Sequence, residues 1–297
     1  MFNNIIGNTN NKNILQNSIK NDKISHSYIF SGPKGIGKML FAKEFAKAIL
    51  CDNIENKPCN HCKACIEFEN ANHPDIYIID EQDETIKTET MKNLTKDILE
   101  KPLENKKKIY IINNSENMTR EAQNTLLKTL EEPPQYIVII LITANTNLML
   151  NTIKSRCINI IFNKLTNEEL KKYFKDNITE EVLNFSEGSI SKALKIKENE
   201  DTYKQISNEI KRIEQLNELE ILKLKSIIST KKEDIEEILE YINLIFYNVI
   251  INNPTTAIKY NNCIKIIEDT KKRLKRNGNY DMTIDNCLLS IWEEING

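Results

Sequence analysis

The sequence contains no apolar run long enough to cross a membrane. Its longest run, residues 136–142, is seven residues long, whereas a spanning helix needs about 20. Residues 1–6 also lack the basic stretch followed by an apolar core that is typical of an export signal. We therefore expect a cytoplasmic protein without membrane contact.

A strong excess of charge of either sign is missing as well. The 41 Lys and Arg residues nearly balance the 43 Asp and Glu residues, which gives a formal net charge of -2. Such a chain has no global attraction to nucleic acid, so any DNA contact would be local or shared with partners. With 297 residues, 40% hydrophobic and 28% charged, the chain is typical of globular proteins with two or three domains.

Glycine is scarce, yet three of the seven glycines lie close together. Gly32, Gly35 and Gly37 precede Lys38 in the pattern G-P-K-G-I-G-K-M, which matches a phosphate-binding loop except at its last position. A short apolar strand pattern precedes the loop and a helical pattern follows it, as this kind of loop requires. The loop predicts the fold of a nucleotide-driven protein.

Positions that nucleotide hydrolysis needs are altered. Met39 replaces the Ser or Thr whose hydroxyl binds Mg²⁺, and a thioether is a poor ligand for that ion. After the strand predicted at 108–112, Asn113 and Asn114 stand where carboxylates would hold Mg²⁺ and polarise water. Glu116 lies beyond the strand end, and we expect it to point elsewhere. The chain is therefore predicted not to hydrolyse nucleotide, whereas ATP binding stays open.

The cysteines indicate a metal site. Four of the seven are close in sequence: Cys51, Cys59, Cys62 and Cys65. In a reducing compartment two overlapping C-x-x-C steps favour a metal over disulfides. Four thiolates complete a tetrahedral Zn²⁺ site with no position left for water, so the ion would be structural. A redox pair, an iron–sulfur cluster and replacement of one thiolate by His61 are the alternatives. The other three are expected in the core: Cys157, Cys263 and Cys287.

Strands and helices alternate over the first half of the chain. Apolar segments predict five strands, at 28–30, 75–80, 108–112, 136–143 and 158–162. Helical periodicity predicts helices at 11–20, 39–50, 88–99 and 119–130. Strands of nearly continuous apolar content in this order predict a parallel sheet covered on both faces. Beyond residue 163 the strand signal stops and helical patterns dominate.

Several motifs together resemble the clamp-loader AAA+ family, and within it most closely the delta-prime subunits of bacterial DNA polymerase III. They are H-S-Y-I-F-S-G-P at 26–33, the cysteine cluster, N-T-L-L-K-T-L-E-E-P-P at 124–134 and T-I-K-S-R-C at 152–157. The resemblance implies an α/β AAA+ P-loop module at 1–163, with a parallel five-stranded sheet and a zinc-binding insertion at 51–66. It also implies an α-helical lid at 164–205 and an α-helical collar domain for oligomerisation at 206–297.

The same resemblance assigns roles to individual residues. In this family the Ser-Arg-Cys motif supplies an arginine finger, here Arg156, to a neighbouring subunit. Ser191 stands where ATP-hydrolysing relatives carry the arginine of a second sensor motif. Together with the altered phosphate loop, these positions imply a subunit without ATPase activity of its own.

The resemblance also implies partners. The chain would join clamp-loader gamma/tau and delta subunits in a hetero-oligomer that loads the sliding clamp on primed DNA during replication. That assembly is part of the DNA-directed DNA polymerase holoenzyme, a nucleotidyltransferase. Two alternatives stay open: an ATP-hydrolysing gamma/tau-like subunit and a zinc-dependent DNA-binding module. Turnover by the isolated chain would indicate the first, and tight, salt-dependent DNA binding the second.

Overall fold

The computed structural model describes residues 1–2, 5–81, 84–229, 232–253, 257–276 and 278–297. The chain forms two compact units, Met1–Lys192 and Ala193–Gly297. The boundary between them lies inside the helix Ile190–Glu198. It therefore falls within the segment 164–205 that the family resemblance assigns to a lid.

The first unit is built on a sheet of five parallel strands. In chain order these are β1 (Ser27–Ser31), β2 (Ile76–Ile79), β3 (Lys108–Ile112), β4 (Ile137–Thr143) and β5 (Ile158–Ile161). They are arranged in the order β2-β3-β4-β1-β5. Tyr28 of β1 is in register with Ile140 on one side and with Ile158 on the other. The predicted parallel five-stranded sheet is confirmed, and each strand lies within one residue of its predicted ends.

Helices cover both faces of this sheet. One face carries α1 (Thr9–Lys20), α2 (Lys38–Leu50) and α3 (Lys63–Glu69), and the other carries α4 (Thr88–Ile98), α5 (Arg120–Glu131) and α6 (Asn151–Lys154). Phe30 and Phe41 belong to the buried cluster on the first face, whereas Ile29 and Leu126 belong to the cluster on the second. Residues 29 and 30 enter opposite clusters because side chains alternate along a strand.

Inner and edge strands differ in burial. Every residue of β1, β3 and β4 is buried, which is what a parallel sheet covered on both faces requires. The edge strands are partly exposed, with Tyr77 and Ile78 on β2 and Ile158 and Ile161 on β5. The apolar runs alone did not distinguish edge strands from inner ones.

A small helical part follows the sheet within the first unit. It contains α7 (Asn167–Tyr173), α8 (Glu180–Ser186) and the beginning of α9 (Ile190–Glu198). Thr166 and Glu169 form a reciprocal capping box at the start of α7, which fixes where that helix begins. Leu165, Leu170 and Leu183 form a separate apolar cluster beneath these helices.

The described part of the second unit is helical. Its helices after α9 are α10 (Glu200–Lys211), α11 (Glu218–Ser229), α12 (Ile235–Asn252), α13 (Ala257–Lys275) and α14 (Tyr280–Asn296). Cys263 and Cys287 are buried in its core, as expected, whereas Cys157 of the first unit is half-buried. Among the described helices, none is both long and apolar enough to span a bilayer.

Candidate functional site

The phosphate loop joins the carboxyl end of β1 to the start of α2. A Cβ atom at Gly32 would lie 2.3 Å from the carbonyl oxygen of Phe162, just after β5. Gly35 has a φ of +75°, and a Cβ atom there would lie 2.3 Å from Oγ of Ser189. A larger residue at either position would displace its neighbours. Gly37 precedes α2 directly, so the loop ends at a helix N-terminus, where backbone N–H groups favour an anion.

Lys38, the cation of this loop, folds back onto the loop itself. Its Nζ donates to the carbonyl oxygens of Gly32 and Pro33, both at 2.6 Å, and only 7% of the residue is exposed. Burial lowers the pKa of the ammonium from 10.5 to about 8, and the nearby carboxylate of Glu116 offsets part of this fall. At neutral pH Lys38 is therefore mostly protonated, and its bonds are made to the protein's own carbonyls.

The residues that replace metal ligands make other contacts. Met39 is half-buried and packs against the apolar cluster beneath α2. Asn113, directly after β3, donates from Nδ2 to Oδ1 of Asp80 at 2.8 Å. Since Asp80 follows the edge strand β2, this bond turns the amide away from β1 and its loop. Asn114 adopts a left-handed conformation with a φ of +47°, which asparagine tolerates. Neither asparagine presents a carboxylate.

Glu116 does not point away from the loop, and that expectation was wrong. It lies in the 3-10 turn Ser115–Asn117, and its Oε1 accepts the N–H of Ala144, which follows β4, at 2.9 Å. Its charge raises the pKa of Lys38. The buried Oε2 has no hydrogen-bond partner among the described residues. The tight turn brings the carboxylate back over the strand ends, which distance along the sequence did not reveal.

The start of α9 packs against the phosphate loop. The backbone N–H of Ser191 donates to the carbonyl of Gly35 at 3.1 Å. Oγ of Ser189 accepts the N–H of Lys192 at 3.2 Å, so that Ser189 caps the helix. At position 191, where the resemblance places an arginine in ATP-hydrolysing relatives, this chain has a short side chain and a backbone contact. No positive charge reaches the loop from this residue.

The four predicted cysteines form one cluster. Their Sγ atoms all lie within 4.8 Å of one another, compared with roughly 3.8 Å between sulfurs that surround a tetrahedral Zn²⁺ ion at bonds of about 2.3 Å. Cys51 and Cys65 are buried, and Cys59 and Cys62 are half-buried. All four are free thiols. The spacing therefore suits a metal ion at the centre of the cluster.

Backbone N–H groups surround the sulfurs. Cys59 donates its N–H to Sγ of Cys51, and Cys62 donates to Sγ of Cys59, both at 3.3 Å. The backbone N–H of His61 lowers the pKa of the Cys59 thiol to about 6, whereas burial raises the pKa of Cys51 and Cys65. Nδ1 of His61 bonds to the carbonyl of Cys59 at 2.8 Å, outside the cluster. The donor set is therefore four sulfurs, which fits Zn²⁺.

A loop that the sequence did not single out ties the cysteine insertion to the sheet. The buried carboxylate of Asp75, before β2, accepts three consecutive backbone N–H groups, of which Glu104 and Asn105 contribute the bonds at 2.9 and 2.7 Å. The side chain of Asn105 donates to the carbonyl of Leu50 at 2.9 Å. Glu104 pairs with Nζ of Lys63 at 2.7 Å. These contacts hold both ends of the insertion.

The guanidinium of Arg156 is held at the ends of two helices. Its Nη2 pairs at 2.8 Å with Oε1 of Glu131, the last residue of α5. Its Nη1 donates to the carbonyl of Thr152 in α6 at 2.9 Å and to Oγ of Ser155 at 3.3 Å. The negative end of a helix dipole favours a cation at this place. A third of the side chain, 33%, stays exposed.

The structure does not bring Arg156 to the phosphate loop of its own chain. Oγ of Ser27, the first residue of β1, donates to the carbonyl of Arg156 at 2.8 Å, which places the arginine beside the amino end of that strand. The loop leaves the opposite end of the strand at Gly32. The five residues of β1 extend over about 15 Å at roughly 3.3 Å per residue. Arg156 and the phosphate loop therefore lie at opposite ends of the strands, the arginine at the amino end and the loop at the carboxyl end.

Comparison with known proteins identifies the family. Residues 7–166 match the sequence model of the family described as DNA polymerase III, delta subunit. The chain belongs to this family. The resemblance to clamp-loader subunits is confirmed, and with it an α/β AAA+ module followed by a helical C-terminal part.

Relatives of this clamp-loader chain include two kinds of subunit. It is 39% identical over 152 residues to DNA polymerase III subunit delta' of Bacillus subtilis, covering 51% of the chain and 46% of that protein. It is 32% identical over 191 residues to DNA polymerase III subunit gamma/tau of Mycoplasma pneumoniae, covering 64% of the chain and 28% of that protein. The matched part thus spans less than half the length of these relatives.

A solved structure shares the fold of the clamp-loader chain. It is that of a DNA polymerase III gamma subunit-related protein from Thermotoga maritima, with a TM-score of 0.57 and 18% identity. The match covers 96% of this chain and 99% of that one. At this level of identity the likeness shows the fold alone.

Proposed function

We propose that this clamp-loader chain is a delta-prime-like subunit that does not hydrolyse ATP and donates Arg156 to a neighbouring ATPase subunit. The observation that carries the proposal is the position of Arg156. It lies across the sheet from the phosphate loop of its own chain, at the amino end of β1, and is partly exposed. An arginine at that edge can act only on a nucleotide held by another subunit.

The chemistry of an arginine finger fits the side chain. As a phosphoryl group is transferred, negative charge is spread over its oxygens, and a guanidinium placed against them stabilises the transition state. A guanidinium stays charged at any physiological pH and presents a planar fork of N–H donors. Arg156 would supply this charge in trans, while the neighbour would supply the metal ligands and the water-polarising carboxylate.

The altered loop supports a subunit without ATPase activity. Met39 packs into the core, and Asn113 is bonded to Asp80, so the usual ligands of Mg²⁺ are absent at both positions. ATP binding would have to break the bonds from Lys38 to the loop carbonyls and accommodate Ser191 against Gly35. The module would act as a rigid stator rather than as a motor, with the helices at 206–297 as the collar and those at 164–205 as the lid.

The cysteine cluster would hold a structural Zn²⁺ ion. Cys51, Cys59, Cys62 and Cys65 supply four sulfurs within 4.8 Å of one another, which fills a tetrahedral shell. Bound there, the ion would crosslink the insertion, because its ligands come from both sides of the segment 52–58. No position would remain for an activated water, so the site has no part in catalysis.

Assembly with partner subunits tests the proposal. The chain is mixed with gamma/tau and delta subunits of the same source and analysed by size-exclusion chromatography. We expect one complex, whose ATPase is stimulated by the sliding clamp and primed DNA, and whose rate falls when Arg156 is replaced by Ala. A chain that fails to enter the complex, or whose Arg156→Ala variant supports the full rate, would exclude the role.

A gamma/tau-like ATPase is the second candidate. Glu116 favours it, since its carboxylate lies on the side of the fold that carries Lys38 and has one oxygen without a partner in the part of the chain that the structure describes. Relatives of both kinds also match this chain. Turnover by the isolated chain, abolished by Glu116→Gln, would establish this candidate in place of the first.

A further inference from the structure

We propose that Glu131 is a positioning residue for Arg156. It holds the guanidinium in the orientation that is needed to contact the nucleotide of a neighbouring subunit. This inference rests on the proposed role of Arg156 as an arginine finger. It assigns a role to the first glutamate of the motif T-L-E-E-P-P, which is otherwise only a helix end.

The contacts of Arg156 define that orientation. Glu131 takes one N–H of Nη2, and Thr152 and Ser155 take the two N–H groups of Nη1. The two terminal nitrogens are thus fixed from different elements, α5 on one side and α6 with its following turn on the other. A planar group held at both terminal nitrogens has restricted rotation about its last bonds, so its orientation is favoured before any partner arrives.

Donors for an external anion remain in this arrangement. A guanidinium has five N–H groups, and the described contacts of Arg156 use three of them. Nε makes none of those contacts, and Nη2 makes one, so Nε–H and one N–H of Nη2 remain for an external acceptor. These groups can donate to phosphate oxygens. Glu131 therefore holds the arginine and still leaves N–H donors for a ligand.

A carboxylate suits this task because the ion pair orients the guanidinium and yet contributes little free energy. Both partners are partly exposed, Arg156 at 33% and Glu131 at 50%, and exposed ion pairs contribute little free energy. Small adjustments toward a phosphate are therefore easy. Without Glu131, the described contacts of the guanidinium would be reduced to the bonds of Nη1. The guanidinium would then gain conformational entropy, which it would lose each time it contacted a nucleotide.

The next residue offers a matched control. Glu132 has the same side chain and charge, is exposed, and lies just past the end of α5. The described bonds of Arg156 go to Glu131 and not to Glu132. Glu131→Ala and Glu132→Ala change the net charge equally, so a difference between them reports the contact with Arg156 rather than the charge of the surface.

The first experiment uses the isolated chain and needs no clamp loader. The chain has five arginines, so the Nε–H signals of ¹⁵N-labelled protein are few, and Arg156→Ala identifies the one of interest. We expect the Nε–H bond vector of Arg156 to be rigid in the wild type and in Glu132→Ala. It should be mobile in Glu131→Ala. Glu131→Gln, which keeps an acceptor oxygen, should lie between. Equal rigidity in all four proteins would overturn the inference whatever Arg156 does.

The second experiment measures ATP hydrolysis by the assembled complex with clamp and primed DNA. Glu131→Ala should lose at least about half of the rate that Arg156→Ala loses, with KM for ATP unchanged, because a transition-state contact is weakened and ground-state binding is not. Glu132→Ala should keep the wild-type rate. Melting temperatures of all variants should agree within about 2 °C, as for exposed ion pairs.

The outcomes separate the inference from the function on which it rests. If Arg156→Ala lowers the rate and Glu131→Ala does not, Arg156 is a finger and Glu131 does not position it. A faster rate with Glu131→Ala would also overturn the inference, since the carboxylate would then restrain the arginine. If Arg156→Ala itself has no effect, the finger role is excluded, even where the NMR shows that Glu131 orders the side chain.

Discussion

The backbone N–H of Ser191 donates a hydrogen bond to the carbonyl of Gly35 at 3.1 Å and so joins the start of α9 to the phosphate loop. A Cβ atom at Gly35 would lie 2.9 Å from Cβ of Ser191. The loop is therefore held in its present shape by the polypeptide itself, on the side where a sensor arginine would otherwise approach a phosphate.

The isolated protein should show negligible ATPase activity. Met39→Thr alone should not restore it, because Asn113 would remain bonded to Asp80 and leave the metal without its carboxylate. Phosphate release is measured with Mg²⁺ and ATP, with a gamma/tau subunit from the same source as the active control. Robust turnover by the wild-type chain, or its appearance in Met39→Thr, contradicts the prediction.

The protein purified under reducing conditions should contain one Zn²⁺ ion per chain. Structural zinc sites in peptides have an apparent binding free energy of about 10–16 kcal/mol, so the ion should survive mild dialysis. Cys62→Ser should lower the zinc content measured by mass spectrometry and loosen residues 51–66. The far-UV circular dichroism should change little, since the sheet has its own core.

A cysteine outside the cluster provides the control for this measurement. Cys157→Ser, just before β5 and remote from the four sulfurs in sequence, should leave the zinc content unchanged. Protein without zinc, or equal loss in both variants, would remove the assignment.

Arg156→Ala should slow ATP hydrolysis by the assembled complex while leaving the fold intact. An arginine finger can contribute about 10³–10⁵ in rate at the site it serves, but other sites in a multi-subunit assembly dilute the loss in steady-state turnover. Arg156→Lys should recover little activity, because an ammonium does not reproduce the planar fork. Arg120→Ala, at the opposite end of α5, is the matched control. Wild-type rates for Arg156→Ala would mean that the residue is structural.

The stability of the first unit should depend on pH through Lys38. Its pKa is lowered from 10.5 to about 8, so between these values the unfolded chain binds the proton and the folded chain does not. The contribution of Lys38 to the free energy of unfolding is therefore least favourable below pH 8 and rises up to pH 10.5. At about 1.4 kcal/mol per pKa unit the rise is at most about 3.5 kcal/mol.

Two substitutions isolate this contribution. Lys38→Met removes the titrating group. The difference in free energy of unfolding in favour of Lys38→Met over the wild type should therefore shrink from pH 8 to pH 10.5, as measured by urea unfolding at each pH. Lys38→Arg stays charged across the whole window and should lack the rise. A constant difference between wild type and Lys38→Met would mean that the lysine is not perturbed by burial.

Local patterns predicted most of the fold. The segment Ile137–Thr143 was predictable because every residue is apolar or β-branched and every residue is buried. The phosphate loop and the cysteine cluster were predictable because their chemistry lies in fixed short spacings. The helix Lys63–Glu69 was missed because seven residues inside the cysteine insertion are too short to show a helical period.

Contacts between distant residues were not predictable. Arg156 and Glu131 are 25 residues apart in sequence, and their meeting depends on where α5 ends relative to β5. The direction of Glu116 depends on the left-handed conformation of Asn114, which turns the chain directly after β3. Neither event has a signature in residue type or spacing, because both result from how whole elements pack.

The first unit has two different ends: Arg156 lies at the amino ends of the strands and the altered phosphate loop at their carboxyl ends. In a ring of subunits joined head to tail, each interface brings the arginine end of one subunit against the loop end of the next. If Arg156 serves a neighbour as proposed, this chain would complete a site on one side and offer none on the other. A ring that contains such a subunit would be interrupted at one interface, and hydrolysis around it would have a first and a last site.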